Sequence, residues 1–139
     1  MDVQKLAQRT VDDFNNRKYR ESAKEIAEPD IVVIDAPTGQ QMKGIDSFIQ
    51  YSDSFVHAMP DLRGTALEHK VNGNQVLTRV HAQGTFTGTL NTQQGSYHGT
   101  GKPVDIDYNL DQEFDKAGKL VRFSIDYDRQ KFMQQLGLS

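Results

Sequence analysis

The sequence predicts an α+β domain in which a strongly bent, mostly antiparallel sheet curls around helices supplied by the N-terminal half. Three observations predict it. Up to residue 59 apolar side chains recur mainly at three- and four-residue spacing, which gives helices with one buried stripe. From residue 75 apolar and polar residues alternate instead, which gives strands with one buried face. Between these regimes lies Ile31-Val32-Val33-Ile34, a β-branched run that reads as a buried strand.

In order, Val3, Leu6, Ala7, Thr10, Val11 and Phe14 make a first amphipathic helix. Residues 19–28 make a short second one with Ala23, Ile26 and Ala27 on a stripe, stopped by Pro29. The strand ending at Asp35 follows. Residues 44–59 are a third helix whose buried face is Ile45, Phe48, Ile49, Ser52, Phe55, Val56 and Met59. Residues 62–72 are a weak strand, turned by Asn72-Gly73-Asn74. Residues 75–87 alternate, with Val76, Thr78, Val80, Ala82 and Phe86 on one side. The stretch 88–102, rich in Gly, Thr and Gln, reads as a mobile hairpin loop. Residues 103–114 alternate most clearly, with Val104, Ile106, Tyr108, Leu110 and Phe114 inward and a row of acids outward. After the turn Asp115-Lys116-Ala117-Gly118, a last strand turns Val121, Phe123, Ile125 and Tyr127 inward. A helical turn then ends at Gly137.

Composition narrows the function. With 139 residues the chain is expected to be one domain over 1–139, burying about two-thirds of its unfolded surface. A net charge of -3 and a pI near 5.7 give no basic stripe for nucleic-acid phosphates. The absence of cysteine rules out disulfides, thiolate metal sites and cysteine nucleophiles. No apolar run is long enough for a membrane span, and the amphipathic N-terminus is not a signal peptide. The expectation is a cytoplasmic protein with neither nucleic-acid nor membrane partners.

Asp35 is the residue that invites a chemical reading. As an acid at the end of a greasy strand, it is either a turn residue bonding local backbone before Pro37 or a base at the rim of an apolar cavity. In the second case desolvation favours its neutral form, which is how carboxylates are tuned for general-base work. Alternation places Ile31, Val33 and Asp35 on one face, and Val11, Phe14, Phe55, Phe123 and Ile125 are expected around the carboxylate. Tyr108 and Tyr127 lie on inward rows of adjacent strands, as core aromatics or as donors to a ligand carbonyl. His81 and Arg79 face Asp105, Asp107, Asp111 and Asp126 on the outer side, a pattern that suits cross-strand ion pairs or a dimer interface better than a metal site. His57, His69 and His98 have no partner at a recognisable spacing.

Several segments carry a family resemblance. Gly118-Lys119-Leu120, Asp128 and Gln135-Leu136-Gly137 resemble the ending of the SnoaL-like polyketide cyclases. His57-Ala58-Met59-Pro60-Asp61-Leu62-Arg63, Gly84-Thr85-Phe86-Thr87-Gly88 and Gly99-Thr100-Gly101-Lys102-Pro103-Val104 resemble that family's internal motifs in the same order. The resemblance implies the cone-shaped nuclear transport factor 2-like fold, shared with ketosteroid isomerases, a homodimer, and an apolar pocket for a hydrophobic small molecule. The residues themselves lead to the expectation of no metal site and of cofactor-free chemistry. The resemblance also exposes departures, because the family's acidic and histidine positions fall here on Ile125, Leu110 and Phe86. Asp30, Asp35, Ala36, Pro37 and Gly39 resemble the general-base strand of the ketosteroid isomerases, whose donor positions fall on Val11 and Leu110. Two functions remain open on these residues. One is a cofactor-free isomerase or cyclase with Asp35 as base, Tyr108 and Tyr127 as donors and a pocket of Val11, Phe14, Val33, Phe55, Phe86, Leu110, Phe123 and Ile125. The other is a binding or dimerisation module that has lost the acid/base residues.

Overall fold

The computed structural model of the chain describes residues 1–92 and 95–138. Helix α1 (Val3–Asn15) starts where the Asp2 side chain accepts from the Lys5 amide, and it buries Val3, Ala7, Thr10 and Val11. Helix α2 spans Tyr19–Ile26, and strand β1 (Ala27–Asp35) begins at once. The helix therefore ends three residues before Pro29, which lies inside the strand. A residue preceding proline is pushed to extended backbone, so the change of conformation comes early. The β1 ladder is also irregular between Ala27 and Val32, where a residue without an N–H does no harm.

Strand β2 (Gln40–Lys43) pairs antiparallel with β1. It was not expected, because its polar residues on an exposed edge leave no alternation to read. Helix α3 spans Ile45–Ala58 and buries Phe48, Ile49 and Ser52. Strands β3 (Arg63–Asn72) and β4 (Gln75–Thr85) form a hairpin around Gly73, whose φ of 63° suits glycine. The stretch read as a loop contains two paired strands, β5 (Thr89–Thr92) and β6 (Gly95–His98); its tip lies outside the described residues. Leu90 anchors this hairpin beside α3, and a side chain on Gly88 would strike the His57 carbonyl. Strands β7 (Pro103–Phe114) and β8 (Leu120–Asp126) and helix α4 (Arg129–Leu136) complete the chain.

The main sheet runs β2-β1-β8-β7-β4-β3, antiparallel except for β1 against β8, and its edges do not meet. The expected inward faces of β4 and β7 are buried as read, down to Val76, Thr78, Val80 and Leu110, except that Tyr108 is only partly buried. On β8 the inward set differs at one point. Leu120 is completely buried and Val121 is not, because the register shifts by a bulge between Glu113 and Phe114. Helices α1 and α3 pack on the sheet's inner face. Six strands share one register row there: Gln40, Asp35, Ile125, Leu110, Thr78 and His69. Asp35 thus stands beside the two positions where the family resemblance implied acid/base groups.

Candidate functional site

A partly open cavity of about 90 Å³, several times the space one water needs, lies between the helices and the sheet. Aromatic and aliphatic side chains make most of its wall, among them Val11, Phe14, Phe55, Leu110, Phe123 and Ile125. Tyr108 and Tyr127 also line it. Three residues expected there do not. Val33 and Phe86 are wholly enclosed, Val33 in the core under α3 and Phe86 in the second cluster with Met59 and Leu136. Asp35 is not on the wall either, although it is only 5% exposed.

Asp35 instead stands one layer behind the wall. Its Oδ1 accepts from the Tyr51 hydroxyl at 2.7 Å, and its Oδ2 accepts from the Thr38 hydroxyl at 2.5 Å. Its backbone carbonyl accepts from the Gly39 amide, closing the turn at Pro37. The turn residue and the buried acid are therefore the same side chain. A buried carboxylate is tolerated only when hydrogen-bonded, and two hydroxyl donors meet that need.

Tyr51 connects the acid to the cavity. It lines the wall while its hydroxyl donates outward to Asp35, and its ring packs edge-on to Phe55 with centroids 5.1 Å apart. Burial, followed by the neighbouring Asp35 charge, holds its phenol far above the ordinary tyrosine range. Tyr127 is pushed up to about 12, first by burial and then by the same charge, and its ring packs against Phe132. Burial alone pushes Tyr108 up to about 12. All three phenols are neutral donors near pH 7.

The remaining polar groups of the wall differ in how far they are committed. Thr10 donates to Ala7 and Gln112, Asn15 pairs with the Gly64 backbone through both ends of its amide, and Tyr19 donates to Asp53. Among the described residues nothing hydrogen-bonds the Tyr108 hydroxyl. Just after the wall residues Phe14 and Asn15 in sequence, Arg17, in left-handed backbone with φ 58°, donates to the carbonyls of Phe14, Pro60 and Leu62 and ties α1 to the start of β3.

Outside the sheet, His81 is held between Asp105 at 2.6 Å and Asp107 at 2.5 Å, and Arg79 lies 3.8 Å from Asp107. These are cross-strand ion pairs; no metal-holding cluster occurs among the described residues. His69 does have partners, Thr78 across the hairpin and Gln8 on α1. Neither is visible as a spacing in the sequence. Tyr51 was overlooked as well, though it sits three residues after Phe48 and four before Phe55, on the edge of the α3 stripe. Thr38 carried a local signal, a hydroxyl three residues after an acid at a turn.

The curled sheet, its helices and the partly open apolar cavity make up the fold shared by nuclear transport factor 2 and the ketosteroid isomerases. The chain belongs to the SnoaL-like polyketide cyclase family, whose model matches residues 5–136. Solved structures agree with that fold. A candidate SnoaL-like polyketide cyclase from Jannaschia sp. CCS1 superposes with a TM-score of 0.85 at 16% identity, covering 99% of this chain and 92% of that one. IdmH, a candidate polyketide cyclase from Streptomyces antibioticus, gives 0.79 at 19% identity and covers 99% of both chains. A protein of ketosteroid isomerase-like fold from Catenulispora acidiphila gives 0.78 at 11% identity, over 96% and 93% of the two chains. No curated protein matches the sequence. No helix among the described residues is long and apolar enough to cross a membrane.

Proposed function

We propose that this protein binds a ring-bearing apolar molecule in the cavity and moves a proton on it without a cofactor, as an isomerase or cyclase. Asp35 is the base of the site, and Tyr108 and Tyr127 supply hydroxyls to a substrate oxygen. One observation carries the reading: a buried, hydroxyl-bonded carboxylate stands directly behind an apolar wall that also holds Tyr108, a phenol with no hydrogen-bond partner among the described residues. An apolar site with a few polar groups in fixed places is the usual form of a small-molecule pocket. A neutral phenol facing a developing oxyanion in such a site stabilises charge as it forms.

A pure binding module is the second reading, supported by Ile125 and Leu110, apolar cross-strand partners on the cavity wall. The two readings separate in one assay. In D2O, 1,3-dihydroxynaphthalene exchanges a ring proton through its keto tautomer, and proton NMR follows the loss of that signal. The enzyme reading expects wild type to speed this exchange and Asp35→Asn to lower the rate about 100-fold or more, with the probe still bound. A binding module binds the probe and leaves its exchange at the buffer rate in both proteins.

A further inference from the structure

Resting on that reading of the cavity as a ligand site, we infer that Ser52 is a substrate-binding residue. It works as a pair with Tyr108, so that the cavity selects rings carrying oxygen at two separate positions. Ser52 is the one polar residue among those that α3 buries. It lies on the cavity wall and is only 6% exposed. A serine or threonine inside a helix commonly bonds back to a carbonyl about one turn earlier, as Thr10 does to Ala7 and Ser54 to Tyr51. Ser52 makes no such bond, and nothing else among the described residues bonds its hydroxyl.

Where that hydroxyl points follows from the rest of the molecule. Among the described residues every fully enclosed side-chain nitrogen or oxygen has a partner. The partnerless hydroxyls of Ser52 and Tyr108 are therefore not enclosed, and they open onto the cavity that both residues line. The other polar side chains of the wall are occupied or turned away. Thr10, Asn15 and Tyr19 bond to protein groups, Tyr51 donates to Asp35, and Tyr127 interacts with the same carboxylate. Arg63 is exposed and stands in register with Gln83 of the outer face.

The two free hydroxyls belong to different layers, Ser52 to the helices and Tyr108 to the sheet. The Tyr108 hydroxyl is 3.4 Å from the point where a side chain on Gly64 would begin, so glycine keeps it clear. Phe48 and Phe55, about one turn to either side of Ser52, present rings to the same cavity. A flat ring fits between such walls, and its substituents decide how well. A ring with no oxygen at Ser52 covers that hydroxyl and leaves it without a partner, which weakens binding about 10-fold. The substrates favoured are rings bearing two hydroxyl or carbonyl groups, over hydrocarbon or singly oxygenated rings.

The test measures binding of 1,3- and 2,6-dihydroxynaphthalene and of 2-naphthol by calorimetry. Wild type should bind the better diol about 10-fold or more tighter than 2-naphthol. Ser52→Ala should shrink that preference about 10-fold, and Tyr108→Phe should do the same. Because the Ser52 hydroxyl has no protein partner, Ser52→Ala should unfold in urea at the wild-type midpoint or above it, whereas loss of a structural hydroxyl lowers the midpoint. Wild type that binds diol and naphthol equally, a preference unchanged in Ser52→Ala, or a lowered Ser52→Ala midpoint would each overturn the role of Ser52 and leave the cavity as a ligand site. Wild type that binds none of the three probes would refute the ligand site itself, and the selective pair with it.

Discussion

The Tyr51–Asp35 contact has a stability consequence that needs no knowledge of the substrate. Tyr51→Phe removes one oxygen and keeps the ring, so the packing against Phe55 is retained and no cavity is made in the wall. What is lost is a 2.7 Å hydrogen bond to a carboxylate that is 5% exposed. Hydrogen bonds to charged groups contribute about 1.5–3 kcal/mol, and burial here keeps water from replacing the lost donor. Thr38 remains on the other oxygen, so a loss of roughly 2 kcal/mol is expected rather than the larger cost of an orphaned charge. Urea denaturation followed by circular dichroism measures it, with an unchanged slope and a lower midpoint. A double-mutant cycle sharpens the test. Asp35→Asn removes the charge but keeps an acceptor for Tyr51, and in the double variant part of the loss is counted only once. The sum of the single effects should therefore exceed the double-variant effect by about 1 kcal/mol. A Tyr51→Phe protein within about 0.5 kcal/mol of wild type, or strictly additive substitutions, would refute the coupling, since independent surface sites behave that way.

Two other predictions concern the wall of the cavity and the outer face. Gly64→Ala places a methyl 2.8 Å from Val80 Cγ1 and 3.4 Å from the Tyr108 hydroxyl. Val80 is a fully buried β-branched residue with little room to yield, so this overpacking should cost about 1–3 kcal/mol and weaken binding of an apolar probe, read by calorimetry. Unchanged stability and affinity would show that the wall around Gly64 is looser than described. His81 is raised above the ordinary 6.5, chiefly by its hydrogen bond to Asp107 and then by the Asp105 and Asp107 charges. Because the folded value is the higher one, its contribution to stability is complete below pH 6.5 and fades as pH rises through the folded value. NMR titration should place its midpoint above 6.5, and His81→Gln should flatten the stability profile in that window. A midpoint at or below 6.5 would contradict the double ion pair.

Much of the fold was legible because one-sided burial writes a period into the chain. The alternation of Val104, Ile106, Tyr108 and Leu110 and the spacing of Val3, Ala7 and Val11 each show one element turning one face to the core. Features without such a bias were hidden. Strand β2 is a polar edge, and the β8 bulge exchanges Leu120 for Val121 in a way that no residue type announces. The site was half legible for the same reason. Burial of Asp35 followed from its place beside Ile31 and Val33 in a strand period. Its distance from the cavity depended on Tyr51 stepping across from α3, a tertiary contact. Val33 and Phe86 were placed on the wall because inward-facing was equated with cavity-facing, and the core in fact fills the space over both.

The central proposal, that this apolar cavity is where a ring ligand binds, is tested most directly by methyl NMR. Isoleucine, leucine and valine methyls would be labelled and 1,3-dihydroxynaphthalene titrated in. Saturable shifts confined to the wall methyls of Val11, Leu62, Val104, Ile106, Leu110 and Ile125, with the outer-face Leu77 unmoved, are the predicted result. Shifts that cluster on Leu67 and Leu77, or no saturable shift at the cavity methyls, would contradict it.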